Sequence, residues 1–146
     1  MLAHTLPQLV QDHRQQVVRT ALDRLHREDE LTGLHSDACD FAEWFDAIVA
    51  ALERWPAIAI DDDQEQEQRA FGARCARLGV PLHHVVRAVH ILKSKIVDFA
   101  RAQGVGRSSL EVYVEEELEN RVSFFFDWLV YQVILGYESA QPARFA

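Results

Sequence analysis

The hydrophobic residues of this 146-residue chain recur at every third or fourth position, which is the spacing of amphipathic helices. No stretch alternates between polar and apolar residues as a half-buried strand would. The pattern predicts five main helices, at about 6–27, 36–55, 61–78, 81–102 and 109–137. We therefore expect an all-α helical bundle in which residues 1–146 form a single domain, with a long C-terminal helix.

The turn between the third and fourth helices carries the strongest local signal. Gly79 can adopt the left-handed backbone that ends a helix, and Pro81 suits the first turn of the next helix, where a missing N–H costs nothing. This corner fixes the angle between two core helices. We expect it to gather four residues with reactive side chains: Cys75, His83, His84 and His90.

The ends of the other helices are less clearly marked. The acidic run at 61–67 either caps and begins the third helix or forms a solvated face or loop. Thr5 with Gln8, and Ser108 with Glu111, have the spacing of capping boxes. The second helix is expected to open near Ser36 or Asp37.

The last predicted helix changes character along its length. Its first half is acidic, whereas residues 122–135 are apolar on nearly every side. A helix that is apolar all round needs cover all round. Either the first two helices wrap it, or a second copy of the chain covers one side as a homodimer. The residues expected at such a dimer interface are Phe124, Trp128, Tyr131 and Leu135.

Charge and cysteine content narrow the function classes. The chain has 23 acidic and 15 basic side chains, for a net charge of −8, which argues against binding to nucleic acid or to an anionic membrane. The longest apolar segment, 124–135, is interrupted by Asp127 and Gln132 and is too short to span a bilayer. Cys39 and Cys75 form no C-x-x-C motif or disulfide framework, so we expect a cytoplasmic protein.

Two segments carry a resemblance to known sensor domains. The corner at 74–81, RCARLGVP, precedes an apolar helix that contains Lys95–Ile96. It resembles the helix corner of the amino-terminal domain of RsbR-type stressosome regulators, a globin fold without haem, and that of haem-binding globin-coupled sensors. The segment 118–140, LENRVSFFFDWLVYQVILGYESA, is similar to the last helix of the RsbR-type domain.

The resemblance implies a globin-like fold, a homodimer, and a role in signal transduction, for example in a stress response. The output would pass to a downstream signalling protein or to a fused effector such as a histidine kinase. Globin-coupled sensors place their haem-ligating histidine four residues before the corner glycine, and here that position is Cys75. The comparison therefore favours the branch without a cofactor, with a haem-binding gas or redox sensor as the alternative.

The candidate chemical groups each have a structural interpretation beside the functional one. For Cys75 the three interpretations are a haem ligand, a redox thiol and a small core residue. His90 lines a pocket, ligates haem, senses pH or is a partly buried histidine without a chemical role. Five aromatic residues either enclose an apolar ligand or simply fill the core: Trp44, Phe45, Phe71, Phe99 and Phe125.

Catalysis and metal binding find no support in the motifs. The chain lacks a nucleophile elbow, a P-loop, a zinc-protease helix and a dinucleotide-binding turn. The spacing of its histidines and cysteines does not supply the three or four ligands of a zinc site. We expect a regulatory domain that is not an enzyme, and a helical adaptor without any ligand is a further possibility.

Overall fold

The computed structural model describes residues 10–32, 39–55, 57–103 and 109–141. Five α-helices cover most of these ranges: α1 (Arg14–Thr32), α2 (Phe41–Leu52), α3 (Asp62–Arg77), α4 (Leu82–Gln103) and α5 (Ser109–Ala140). A helical turn at 10–12 precedes α1, and a short 3₁₀ helix (Ala57–Ile60) precedes α3. No strand occurs in these ranges, so the predicted all-α class is confirmed, whereas the globin-like topology stays a prediction.

The helix boundaries follow local capping chemistry. Asp61 caps α3, since its carboxylate accepts the N–H groups of Asp63 and Gln64 at 3.0 and 3.4 Å. The acidic run therefore caps and begins this helix, which confirms the first of the two interpretations given for it. Asp40 caps α2 from a left-handed backbone at φ 52°, a conformation that aspartate tolerates. This helix thus begins later than predicted; residues 36 and 37 lie outside the described ranges, as do Thr5, Gln8 and Ser108 of the predicted capping boxes.

The corner after α3 has the geometry of a Schellman motif. Gly79 has a φ of +78°, and its N–H bonds to the carbonyl of Ala76 at 3.2 Å. The N–H of Val80 bonds to the carbonyl of Cys75 at 3.0 Å. Pro81 stands immediately before the first residue of α4, one position earlier than expected, and its carbonyl accepts the N–H of Val85 at 3.2 Å.

The tightest packing in the bundle is the crossing of α3 and α5, which share the most extensive helix–helix contact. Gly72 of α3 and Gly136 of α5 allow it. A Cβ atom placed on Gly72 would lie 2.1 Å from the carbonyl oxygen of Val133, and one on Gly136 would lie 1.9 Å from that of Arg69. The two backbones are therefore in direct contact, with no room for a side chain between them.

Polar bonds reinforce the same crossing. The Tyr137 hydroxyl donates to the carbonyl of Val80 at 2.6 Å, which ties the end of α5 to the corner. The guanidinium of Arg69 donates to the buried Gln132 side chain at 2.8 Å and to Glu65 at 2.6 Å. Because these groups are wholly or partly withdrawn from water, losing one partner would leave an unsatisfied group.

The other helices enclose a single hydrophobic core. α1 packs against α2 and α4, and α4 also contacts α5. The largest side chains of this core with almost no exposure are Phe45, Phe125, Phe126, Leu25, Ile48, Leu52, Leu92, Ile96 and Leu129. No helix in the described ranges is both long and apolar enough to cross a membrane.

Candidate functional site

The outward face of α5 exposes large hydrophobic side chains. Phe124 is 64% exposed and Tyr131 is 60% exposed, and they lie seven residues apart, two turns along the same face. Trp128 and Leu135 lie at the margin of this face and are half-buried. The structure thus places the four residues predicted at a dimer interface along one side of α5, although only two of them project fully. We call these four residues the α5 face.

One residue of the α5 face, Trp128, packs within an aromatic cluster. The ring of Trp128 lies 6.0 Å from that of Trp55 and 6.2 Å from that of Phe125. Phe125 packs edge-on against Phe126, with ring centroids 5.1 Å apart. The guanidinium of Arg121 donates to the carbonyl of Trp55, which joins α5 to the turn after α2. A side chain held in this way, such as that of Trp128, loses little freedom when a partner covers it.

The second feature is a buried pair of cysteines that the sequence pattern did not predict. Cys39 lies just before α2 and Cys75 in the last turn of α3, and neither sulfur is exposed to solvent. A hydrogen bond from the Cys75 thiol lowers the pKa of Cys39, with a smaller contribution from the charge of Arg74. The same hydrogen bond, together with burial, raises the pKa of Cys75 well above its ordinary value.

Arg74 fixes the position of this pair. Its guanidinium donates to the backbone carbonyl of Cys39 and lies over the ring of Phe71, 5.2 Å from the centroid. The residue that precedes Cys75 in the chain therefore holds Cys39 in place. The sequence places Arg74 beside Cys75, but the backbone that it binds belongs to the other cysteine.

The histidines near the corner do not converge on Cys75. His83 and His90 are exposed on α4, so one of the four interpretations given for His90, that of a partly buried histidine, is wrong. His84 is buried, and its Nε2 lies 3.0 Å from Oδ1 of Asp29, without the alignment of a hydrogen bond. Among the described residues, no group of three or more His, Cys, Asp or Glu could hold a metal ion.

The five aromatic residues proposed for a ligand pocket divide into three groups. Trp44 stacks on Phe71 with ring centroids 3.8 Å apart, and Phe45 lies beside Trp44 at 6.1 Å. Phe99 contacts His13, which precedes α1, at 5.1 Å, whereas Phe125 contacts Trp55. Each of the five rings therefore packs against a neighbouring aromatic side chain of the protein.

A groove of about 390 Å³ runs along the solvent side of the Trp44–Phe71 stack. Its rim combines acidic and basic side chains, including Glu43, Glu67 and Arg77. The indole N–H of Trp44 is not available to a molecule in the groove, because it already donates to the buried Gln68 side chain at 2.9 Å. The groove therefore offers a mixed-charge surface and no enclosed apolar cavity.

No protein-family model, no curated protein and no solved structure matches this chain. The geometry of its own residues is therefore the basis for the functional assignment.

Proposed function

We propose that this chain is a regulatory domain that senses or relays a signal as a homodimer, paired through the α5 face, in the manner of a haem-free globin-like sensor. The exposure of Phe124 and Tyr131 on the same side of α5 carries this proposal. Two large hydrophobic side chains exposed in line on one helix face are typical of an interface with a protein partner.

A second copy of the chain is the partner that fits the α5 face best. A two-fold axis near residues 127 and 128 would bring Phe124 of each copy opposite Tyr131 of the other when the helices run antiparallel. Asp127, which is exposed between these two residues, would then face a Trp128 indole, whose N–H can donate to a carboxylate. A parallel pairing would instead place two Asp127 carboxylates together, which disfavours it.

The crossing of α3 and α5 provides a route for the signal. Because the backbones at Gly72 and Gly136 touch, α3 cannot shift without moving α5. A change at the corner after α3 would therefore alter the packing of the α5 face and favour one of two arrangements of the dimer. A downstream signalling protein or a fused effector domain would respond to that arrangement.

The dimer is tested by substitutions that leave the core intact. Phe124→Asp and Tyr131→Asp each place a charge on an exposed position, so we expect folded protein whose dimer dissociation constant rises at least about tenfold. Size-exclusion chromatography with light scattering measures the mass over a range of concentrations, and circular dichroism confirms the helical fold.

Ile60→Asp is the matched control. Ile60 is 87% exposed but lies in the 3₁₀ helix before α3, outside the α5 face. We expect this variant to dimerise like the wild type. A wild type that is monomeric at high concentration contradicts the proposal, and so does a Tyr131→Asp variant that remains fully dimeric.

The cofactor-free form is supported by the surroundings of Cys75. A haem would need an open coordination position on this sulfur and space for a flat macrocycle beside it. Cys75 is instead fully buried in the core, next to Arg74, which binds the backbone of Cys39, and His90 is exposed on another helix. These residues do not fit a haem.

The haem alternative makes a different spectroscopic prediction. We expect protein purified from haem-supplied cells to show no Soret absorption band, and its spectrum to match that of Cys75→Ser. A Soret band in the wild type that disappears in Cys75→Ser would establish the haem-binding sensor instead.

A further inference from the structure

We propose that Cys39 and Cys75 form a redox-active dithiol, which a hydroperoxide converts to an intrachain disulfide that thiol reductants reverse. The proposal rests on the placement of the two residues. They are the two cysteines of the chain and come from different elements, yet both are fully buried, and Arg74, the neighbour of Cys75, donates a hydrogen bond to the backbone carbonyl of Cys39. In the folded state each cysteine therefore has the other as its nearest reaction partner.

The surroundings assign different roles to the two sulfurs. Cys39 is the better nucleophile, because the Cys75 thiol and the Arg74 guanidinium both stabilise negative charge on it. Cys75 retains its proton until it attacks, since its pKa is raised by donation to Cys39 and by burial. This division corresponds to an attacking and a resolving cysteine.

The reaction balances with hydrogen peroxide as the oxidant. The Cys39 thiolate attacks one peroxide oxygen, so that an S–O bond forms, the O–O bond breaks, and hydroxide leaves to be protonated to water. Cys75 then attacks the sulfur of the Cys39 sulfenic acid as its own proton passes to the departing hydroxyl group. An S–S bond forms and a second water is released. The two sulfurs together lose two electrons, which the peroxide gains.

Burial makes this reaction depend on local opening of the fold. Cys39 lies in the turn before α2, so it can move toward solvent without breaking the hydrogen bonds within α2. Its backbone is held there by Arg74. The thiols are therefore protected from oxidation while this contact is closed. The oxidant reaches them when the contact between this turn and the end of α3 opens.

Intact mass after alkylation tests the pair directly. Folded, reduced protein is treated with hydrogen peroxide, quenched with catalase, and denatured in N-ethylmaleimide. We expect untreated protein to take two labels, and peroxide-treated protein to take none and to be lighter by two hydrogen atoms. Dithiothreitol should restore both labels, and a non-reducing gel should show a single chain.

Two comparisons make the result specific. Cys39→Ser and Cys75→Ser each lack one partner, so neither should lose two hydrogen atoms within a chain. Protein denatured before the peroxide treatment shows whether the bond requires the fold. The proposal is overturned if folded wild-type protein keeps both labels, if the share of intrachain disulfide among its oxidised products is no higher than in denatured protein, or if the product is a crosslinked pair of chains. None of these results depends on dimerisation through the α5 face.

Discussion

Replacing Gly136 with alanine is expected to destabilise the protein by about 3 kcal/mol or more, against the direction that helix propensity predicts. Alanine is favoured over glycine within a helix by about 1 kcal/mol, so propensity alone would make the variant more stable. The added Cβ would lie 1.9 Å from the carbonyl oxygen of Arg69, however. No side-chain rotation can relieve a contact with backbone, so α3 and α5 must separate and their packing is lost along the crossing.

Gly79→Ala provides the matched control for this prediction. A Cβ atom on Gly79 would meet no other atom within 4 Å, but the φ of +78° at this position strains any residue that has a side chain. The expected cost is therefore only about 1–2 kcal/mol. Urea denaturation followed by circular dichroism gives both free energies of unfolding. If Gly136→Ala proves more stable than the wild type, the close crossing of α3 and α5 is wrong.

The sequence was sufficient to predict the helices and the corner because their signals are local. Gly79 and Pro81 act through the backbone of their own turn, and the acidic residues at 61–63 act on the helix that follows them. The exposure of Phe124 could also be anticipated, since an all-round apolar helix in a small domain has more surface than its neighbours can cover.

The cysteine pair could not be predicted in the same way. Cys39 and Cys75 lie on separate elements, and their contact depends on how the start of α2 meets the end of α3. Sequence spacing excludes a local motif such as C-x-x-C but says nothing about a tertiary contact. The signal that was present is the chemistry of the corner itself: an arginine next to a cysteine in the last turn of a helix can bind a backbone carbonyl on a neighbouring segment.

The close approach of α3 and α5 was missed for a similar reason. Gly72 and Gly136 each appear in the sequence as an isolated glycine within a helical pattern, which is usually only a weak cost to the helix. Their role is visible only once the two helices are seen to cross at these residues.

The second large effect is expected at Trp44, where the structural and the ligand-binding interpretations of the aromatic residues give opposite results. Trp44 is buried, stacks on Phe71 at 3.8 Å and donates to Gln68 at 2.9 Å. Trp44→Ala removes the ring and leaves the Gln68 oxygen without its partner. We expect a loss of about 3–5 kcal/mol in the free energy of unfolding, measured by urea denaturation.

Trp44→Phe separates the packing of the ring from its hydrogen bond to Gln68, and Ile60→Ala is the control at an exposed position. Trp44→Phe keeps an aromatic ring but still deprives Gln68 of its donor, so its cost should be smaller, at about 1–3 kcal/mol. Ile60→Ala, at an exposed position, should change stability by less than about 0.5 kcal/mol.

If these rings instead form the wall of a ligand cavity, Trp44→Ala would be nearly neutral in the ligand-free protein. Its stability would then no longer respond to an added apolar ligand that stabilises the wild type. The direct stacking of Trp44 on Phe71 favours the first outcome, because the contact that a ligand would make is already made by the protein.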